Sequence, residues 1–367
     1  MITLVSPRLA RLRMPDKQIQ KAGDNSQMVQ AQTVILGLDE KRVREILEEQ
    51  LPIALRDFTA EANTIANFRS KKFNISLLRR MVQESALTAF SDPSFQILLT
   101  EAQKRAASTE REQDYDLLSE LMVHRFKKGS NRMIRAGISR AVEIVDQISD
   151  DALLGITVFH SVSYFIPVSG DMAVGLKVLD DLFNKVIYDT LPTNNNWLDH
   201  LDILDAVRIS SFGGMKLLED YWYEQFDGYL KNGIEENSEK HNEAKEILTK
   251  AGLGHNSLVK NTSNEKYVKL SVLNKTRILN LSITSGSRSR SITEDEKSAL
   301  EKVYDMYDGT KMSKEDFIKE IEKYSNLKKL REWWNTLKEQ SIQITSVGRV
   351  LAHSNAQRID RSLPPLD

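Results

Sequence analysis

The densest group of residues whose types could do chemistry is Asp199, His200, Asp202 and Asp205. Carboxylates and an imidazole at short spacing can bind a metal ion or transfer protons. On a helix, only Asp199 with Asp202, or Asp202 with Asp205, share a face, and His200 diverges from Asp199. We therefore interpret the group as an acidic helix surface and predict no metal site there.

Sequence motifs of the common enzyme classes are absent from the chain. It contains no Gly-x-Ser-x-Gly, His-Glu-x-x-His or Walker sequence. It also has no cysteine, which excludes thiol nucleophiles, disulfides and cysteine-rich zinc sites. We predict no cofactor and no catalytic residue, so that any active site would have to assemble from dispersed residues.

Basic residues recur in clusters that could neutralise phosphates. One cluster comprises Arg69, Lys71, Lys72, Arg79 and Arg80. The candidate nucleic-acid-binding residues are Arg125, Lys127, Lys128, Arg132 and Arg135, with Arg288 and Arg290 in a Ser/Arg loop. The alternative interpretation is solvated helix faces and a polar loop. The net charge of −1 favours neither alternative.

The elements that must position these residues are mainly helices. Residues 39–233 follow a helical pattern almost throughout and predict one multi-helix domain. Apolar spacing from Val43 to Ile65 predicts a helix that Pro52 should kink. Further helix starts are predicted at Asn74, at Asp92 followed by Pro93, and at Thr109 with Glu112 as a capping box.

Composition changes after residue 233, and residues 234–360 predict a smaller, winged-helix-like α+β domain, followed by a tail over 361–367. A strand is expected within 268–281, and Thr293 with Glu296 forms a predicted capping box. A short strand over 342–344 should enter a last helix that Thr345 caps. Gly348 would let a neighbouring element approach that helix closely. Of Trp333 and Trp334, one ring should pack inward and the other cover a surface.

Residues 1–38 read as a basic leader followed by a short strand. Gln30, Gln32 and Val34 lie in that strand, which could pair with the chain's own body or with a second subunit; a partly disordered leader is the alternative. The charge order is the reverse of a signal peptide's, and no apolar run reaches membrane-spanning length. We expect a cytoplasmic protein without a membrane span.

Residues 342–352 resemble the element that follows the wing in many winged-helix proteins. In order, residues 117–121, 138–152 and 344–349 resemble the bacterial abortive-infection alpha (Abi-alpha) family. The chain is more similar to an uncharacterised bacterial family labelled LPO/Vpar. That similarity rests on Asn196-Trp197-Leu198-Asp199-His200-Leu201-Asp202 and on residues 349–358. These resemblances imply a phage-defence or stress context and carry over no catalytic residue.

Three functional hypotheses follow. The first is a non-enzymatic bacterial interaction or regulatory protein that acts by self-association, as a homo-oligomer, or by binding a protein partner. The second is a nucleic-acid-binding protein that uses the basic helix clusters and the Ser/Arg loop. The third is an enzyme with a dispersed active site.

Overall fold

The structure is a computed structural model and describes residues 39–56, 59–210, 212–254, 257–285 and 288–366. This part of the chain is mainly helical, as predicted, with fifteen α-helices and seven short strands. The predicted N-terminal strand, with Gln30, Gln32 and Val34, lies outside the described residues.

The earlier helices are α1 (Glu40–Leu55), α2 (Ala60–Gln83), α3 (Pro93–Ser108), α4 (Gln113–Lys128), α5 (Arg132–Ile144), α6 (Asp150–Tyr164), α7 (Met172–Val186), α8 (Asn196–Ile203), α9 (Leu218–Gln225) and α10 (Asp227–Leu230). The later helices are α11 (Glu239–Lys250), α12 (Glu294–Asp305), α13 (Lys314–Glu322), α14 (Ser325–Thr336) and α15 (Ser346–Ile359). Short 3₁₀ helices span Leu87–Ser91 and Lys275–Asn280. The strands are β1 (Val207–Ser210), β2 (Ile234–Glu235), β3 (Leu258–Lys260), β4 (Tyr267–Leu270), β5 (Ser282–Ser285), β6 (Arg288–Ser291) and β7 (Ser341–Ile344).

Three of the predicted helix starts are confirmed. Asp92 accepts a hydrogen bond from the Ser94 backbone N–H at 2.9 Å, and α3 begins at Pro93. Thr293 and Glu296 form the reciprocal capping box of α12. Thr345 caps α15 by accepting from the Gly348 N–H at 3.2 Å. Each cap satisfies a backbone donor that the first helical turn leaves unpaired.

Two other predicted starts are wrong. Asn74 lies inside α2, where its side chain accepts a hydrogen bond from the Gln103 amide at 3.1 Å. Thr109 does not cap α4, which begins at Gln113; its hydroxyl instead donates to Asp114 Oδ2 at 2.5 Å. Both side chains satisfy partners that are not visible from local spacing.

The single helix expected from Val43 to Ile65 is also two helices. Pro52 lies inside α1, which ends at Leu55, and α2 begins at Ala60. Ile65 is 53% exposed rather than part of the core. The apolar periodicity crosses the break because α1 and α2 each contribute a buried face to the same core.

The strands form three small antiparallel sheets in the described part of the chain. β1 pairs with β7, placing Val207 opposite Ile344. β2, β4 and β3 form a three-stranded sheet in that order, and β5 pairs with β6. The expected strand over 268–281 is limited to β4, and the 3₁₀ helix follows it.

Buried apolar residues form two main clusters. The larger cluster, the helical body, draws on α1 to α10, on Leu273 and again on residues 317–366. The smaller cluster, the β-rich module, lies within residues 234–307. The division predicted at residue 233 stays a prediction; the packing adds that α13 to α15 contribute to the helical body.

The two connections between the helical body and the β-rich module lie side by side. Lys231 and Lys311 form an antiparallel bridge. The Asn232 N–H donates to the Thr310 carbonyl, and the Met312 N–H donates to the Leu230 carbonyl, each at 3.0 Å. We call this paired segment the neck.

Helix α15 lies at the centre of the helical body, packed against α4, α5 and α6. A Cβ atom on Gly348 would lie 2.0 Å from the Ala206 carbonyl oxygen, so the predicted close approach is confirmed.

The prediction for the tryptophan pair is wrong, because Trp333 and Trp334 are both buried. The Trp333 indole N–H donates to the Pro192 carbonyl, and the Trp334 indole N–H donates to the Lys216 carbonyl.

Among the described helices, none combines the length and apolar character that a bilayer crossing requires.

Candidate functional site

An apolar stripe lies on the solvent side of α2. Ile65, Phe68, Ile75 and Val82 are 53%, 61%, 57% and 45% exposed. Their spacing of three, seven and seven residues keeps them on one face of the helix. Lys72 and Arg79 occupy the remaining positions of that heptad pattern, and the six residues are called the α2 stripe.

The opposite side of α2 is fixed to the body. Phe73, Leu77 and Met81 are fully buried, and the Ser70 hydroxyl donates to the Gln103 carbonyl at 3.2 Å. The stripe is therefore presented on a rigid helix.

Charged residues flank the stripe unevenly. Lys72 forms an ion pair with Glu112, and Arg69 lies 3.5 Å from Glu110, whose side chain is 87% exposed. Arg79, at the other end, has no hydrogen-bond or ion-pair partner among the described residues. The α2 stripe thus has exposed acidic groups near Phe68. Arg79, unpaired among the described residues, lies about one and a half helical turns from the centre of the stripe.

Three of the predicted basic residues converge on one part of the surface, where α3, α4 and α5 meet. Arg125, Arg132 and Arg135 line a cavity of about 370 Å³ together with Ser94 and Ser139. Arg125 and Arg135 also line an adjoining cavity of about 330 Å³. We call the two together the arginine cavity.

The Arg125 guanidinium is held in place by its neighbours. Its side chain is 7% exposed, its Nη2 donates to Ser94 Oγ at 2.6 Å, and Asp92 Oδ2 lies 3.6 Å away. A Cβ atom on Gly129 would lie 1.8 Å from Arg125 Nη1, so the glycine leaves room for the guanidinium. Burial, opposed by Asp92 and reinforced by Arg135, lowers the pKa of Arg125.

The other predicted basic residues do not join them. Lys127 points to Glu84, 2.5 Å away, and Lys128 ends α4 half-buried. Arg290 forms two bonds to Glu296, of 2.7 and 2.5 Å. Arg288 lies in β6, and its side chain is outside the described part.

The acidic group on α8 is engaged structurally. The Ser149 backbone N–H, at the start of α6, lies 3.2 Å from His200 Nε2. Asp205 pairs with Arg208 at 2.9 Å, and Asp202 lies 3.9 Å from the same guanidinium. Within the described ranges, no set of three His, Asp or Glu side chains is arranged to hold a metal ion.

Three buried histidines join α4, α6 and α15 to the C-terminal residues. His160 Nε2 lies 3.2 Å from His353 Nδ1, and His353 Nε2 lies 3.0 Å from the Pro364 carbonyl. His124 Nε2 lies 2.6 Å from Gln357 Oε1. The Gln357 amide donates to the Leu363 and Pro364 carbonyls at 3.1 and 3.0 Å.

The contacts of His353 suit a neutral imidazole. A carbonyl only accepts, so His353 Nε2 carries the hydrogen, and in the neutral ring its Nδ1 accepts from His160. Burial lowers the pKa of His124 to about 4 and that of His160 to about 3. Burial, reinforced by the two neighbouring imidazoles, lowers the pKa of His353 to about 2. A proton on His353 Nδ1 would break the bond to His160.

A wider groove of about 820 Å³ runs between α14 and the segment after α7. Tyr188, Leu191, Lys329 and Trp333 are among its lining residues. Asp189 and Glu332 also line it.

Sequence reasoning missed the α2 stripe and the histidine network. The heptad spacing of Ile65, Phe68, Ile75 and Val82 is a readable signal, but the apolar period recognised in the sequence ends at Ile65 and assigns that residue to the core. His124, His160 and His353 offer no comparable signal, since helices distant in sequence bring them together.

One protein-family model matches residues 37–363. No curated protein matches the chain, and no solved structure matches it. The Abi-alpha resemblance receives no support from these comparisons.

Proposed function

Since the chain belongs to the family whose model matches it, which is uncharacterised, we propose from the α2 stripe that it is a non-enzymatic interaction protein that self-associates. The observation that carries the proposal is four exposed apolar side chains at heptad spacing on a helix whose other side is buried. Such a face is typical of a helix that packs against another helix.

The stripe is complementary to a second copy of itself in an antiparallel arrangement. A two-fold axis between residues 73 and 74 places Ile65 opposite Val82, and Lys72 opposite Ile75. It also places Phe68 opposite Arg79, a pair that can form a cation–π contact. A two-fold dimer repeats each of these contacts twice, as an isologous interface requires.

Charge supports the same arrangement. Arg79 is unpaired in the described part of the chain, and opposite Phe68 it would come near the exposed Glu110 of the other copy. Each pairing of this kind adds modest stabilisation but fixes the register of the helices.

The expected dimer is weak. The stripe offers four apolar side chains per copy, less than the roughly 800 Å² per partner of a stable interface. We therefore expect a dimer that dissociates in the micromolar range, unless residues 1–38 add to the contact.

Sedimentation velocity across a wide concentration range tests the proposal. The full chain should form a reversible dimer. Ile75→Lys should weaken it at least about tenfold, because it removes an apolar contact and places the new cation opposite Lys72 of the other copy. Ile97→Lys is the matched control, since Ile97 on α3 is 74% exposed and lies off the stripe.

A monomer at every concentration would overturn the proposal, as would equal effects of the two lysine variants. A chain lacking residues 1–38 distinguishes self-association through the α2 stripe from strand addition through the N-terminal segment. Unchanged dimerisation would remove the predicted strand addition through Gln30, Gln32 and Val34 and leave the α2 stripe.

The finer assignments remain proposals. We propose that the family is the bacterial LPO/Vpar family, on the resemblance of residues 196–202 and 349–358; a phage-defence or stress context and a cytoplasmic location stay predictions. The β5–β6 hairpin supports a winged-helix-like interpretation of residues 234–360, whereas β7 and α15 pack with the helical body. The enzyme hypothesis also stays a prediction.

A further inference from the structure

We propose that the arginine cavity binds the terminal phosphate of a small phosphorylated molecule. Arg125, Arg132 and Arg135 would supply the charge, and Ser139 would supply a hydroxyl group. The Ser94 hydroxyl donates to Asp92 and accepts from Arg125, so it positions that arginine. This is a ligand site separate from the α2 stripe, and it does not depend on self-association.

The cavity carries positive charge that the described residues do not neutralise. Three guanidinium groups line it, and Asp92 is the single carboxylate among its lining residues. Arg132 and Arg135 have no acidic partner within the described residues. Close like charges disfavour one another, so an anion between them would be stabilised.

The site is built before any ligand arrives. Arg125 is more than nine-tenths buried, anchored by Ser94 and accommodated by Gly129. Planar guanidinium groups bind phosphate oxygens in pairs. A donor held in position loses little freedom on binding, which favours affinity.

The apolar side of the cavity is formed by an aromatic ring. The first turn of α3 adds no free donor, because Pro93 has no N–H and the Ser94, Phe95 and Gln96 N–H groups all donate to Asp92. Phe126 lines the same cavity and is 40% exposed, and it offers an apolar surface beside the arginines. An organic group attached to the phosphate could pack on that ring.

The surroundings favour one phosphate over a nucleic-acid backbone. Binding of a polyanion draws on several basic residues spread along a track. Lys127 is paired with Glu84 and Arg290 with Glu296. Of the predicted nucleic-acid-binding residues, Arg125, Arg132 and Arg135 gather in one cavity of a size suited to a small ligand.

Calorimetric titration of the full chain, in a buffer without phosphate, tests the site. The probes are a nucleoside monophosphate, the same nucleoside without phosphate, inorganic phosphate, and an oligonucleotide with and without a 5′-phosphate. The monophosphate and inorganic phosphate should bind, and the nucleoside should not. The 5′-phosphorylated oligonucleotide should bind more tightly than the unphosphorylated one.

Arg132→Gln and Arg135→Gln should each weaken monophosphate binding about tenfold or more. Lys127→Gln is the matched control, because Lys127 pairs with Glu84 outside the cavity. The affinity of this variant for the monophosphate should stay within about twofold of the wild-type value. Unchanged unfolding midpoints of the variants would separate loss of the site from loss of the fold.

Three results would overturn the proposal. The first is that no phosphate probe binds, and the second is that the Arg135→Gln variant binds the monophosphate as tightly as the wild type. The third is that the unphosphorylated oligonucleotide binds as tightly as the 5′-phosphorylated one. The last result would favour the nucleic-acid hypothesis. Because the Ile75→Lys variant retains the cavity, its phosphate affinity distinguishes failure of this proposal from failure of self-association.

Discussion

Arg290 holds the buried carboxylate of Glu296 at the start of α12, although its sequence context predicted nucleic-acid contact. Glu296 also accepts from the Thr293 N–H at 2.7 Å and is 3% exposed. The Arg290 bonds lower the pKa of Glu296 to about 2. At the scale of single residues, this arginine has a structural role in the fold.

Arg290→Gln should lower the free energy of unfolding at neutral pH, because it leaves a buried carboxylate with one fewer partner. The folded pKa of Glu296 lies below its ordinary 4.5, so its stabilisation is present above pH 4.5 and is lost as the pH falls towards 2. Urea titrations at several pH values would measure both effects.

The control for Arg290 is Lys297→Gln. Lys297 lies on the same helix and pairs 3.4 Å from Glu294, whose side chain is 90% exposed. That variant should change stability by less than about 0.5 kcal/mol. If Arg290→Gln behaves like the control, the ion pair does not stabilise α12.

Gly348→Ala should destabilise the protein by about 2–4 kcal/mol, because the added methyl group would lie 2.0 Å from the Ala206 carbonyl and force α15 away from β1. Thermal unfolding of the two proteins would measure the loss. Arg349→Ala, exposed in the same helical turn, should have little effect. Equal stability of Gly348→Ala and the wild type would contradict the predicted clash.

Residue-level prediction succeeds where the partner is close in sequence. Asp92, Thr293 and Thr345 cap the helices that follow them because a cap needs only the next three residues. Asn74 fails because packing supplies a distant partner, Gln103. Thr109 fails because its hydroxyl donates to the Asp114 carboxylate, inside α4, and does not cap the first turn.

At the scale of elements, periodicity identifies helices more reliably than it identifies what a face contacts. Ile65 fits an apolar period that continues from α1, yet α2 turns that residue to solvent. The spacing of apolar residues within α2 is enough to identify the α2 stripe. The break after Leu55 determines which side of α2 is buried.

Helix α15 illustrates the opposite case. Its start was predictable from Thr345, but its consecutive polar residues His353, Ser354 and Asn355 suggest an exposed surface, and all three are buried. They are satisfied by His160, His124 and Thr157 on other helices. The cost of burying polar groups is offset by hydrogen bonds that no local pattern reveals.

At the scale of the whole molecule, the three buried histidines predict acid-sensitive stability. Their folded pKa values of about 4, 3 and 2 lie below the ordinary 6.5. The unfolded chain therefore binds more protons below pH 6.5, and stability falls as the pH falls from there towards 4. One pH unit below 6.5, each histidine costs about 1.4 kcal/mol.

Denaturant titrations between pH 7.5 and 5.5 give the proton uptake on unfolding. His353→Gln should reduce that uptake by about one proton, since Gln does not titrate in this range. Native-state proteolysis of the C-terminal residues provides a second readout of the contact between His353 and Pro364. Unchanged proton uptake in the variant would contradict the assigned neutral state.

The mainly helical class was predictable from composition and periodicity. The joining of distant segments was not: β1 pairs with β7 across more than a hundred residues, and α15 enters the centre of a core begun at α1. The arginine cavity was predictable in part, because Arg125, Arg132 and Arg135 share a basic run, whereas Lys127 and Arg290 are removed by acidic partners.

The neck places both ends of the segment between Leu230 and Met312 side by side. Because Leu230 and Met312 are joined by a hydrogen bond, the intervening segment leaves and re-enters the helical body at one place. The helical body's own chain path is therefore continuous across the neck. The segment is still anchored to that body elsewhere, because Leu273 packs in the body's core and its carbonyl accepts from the Gly228 N–H.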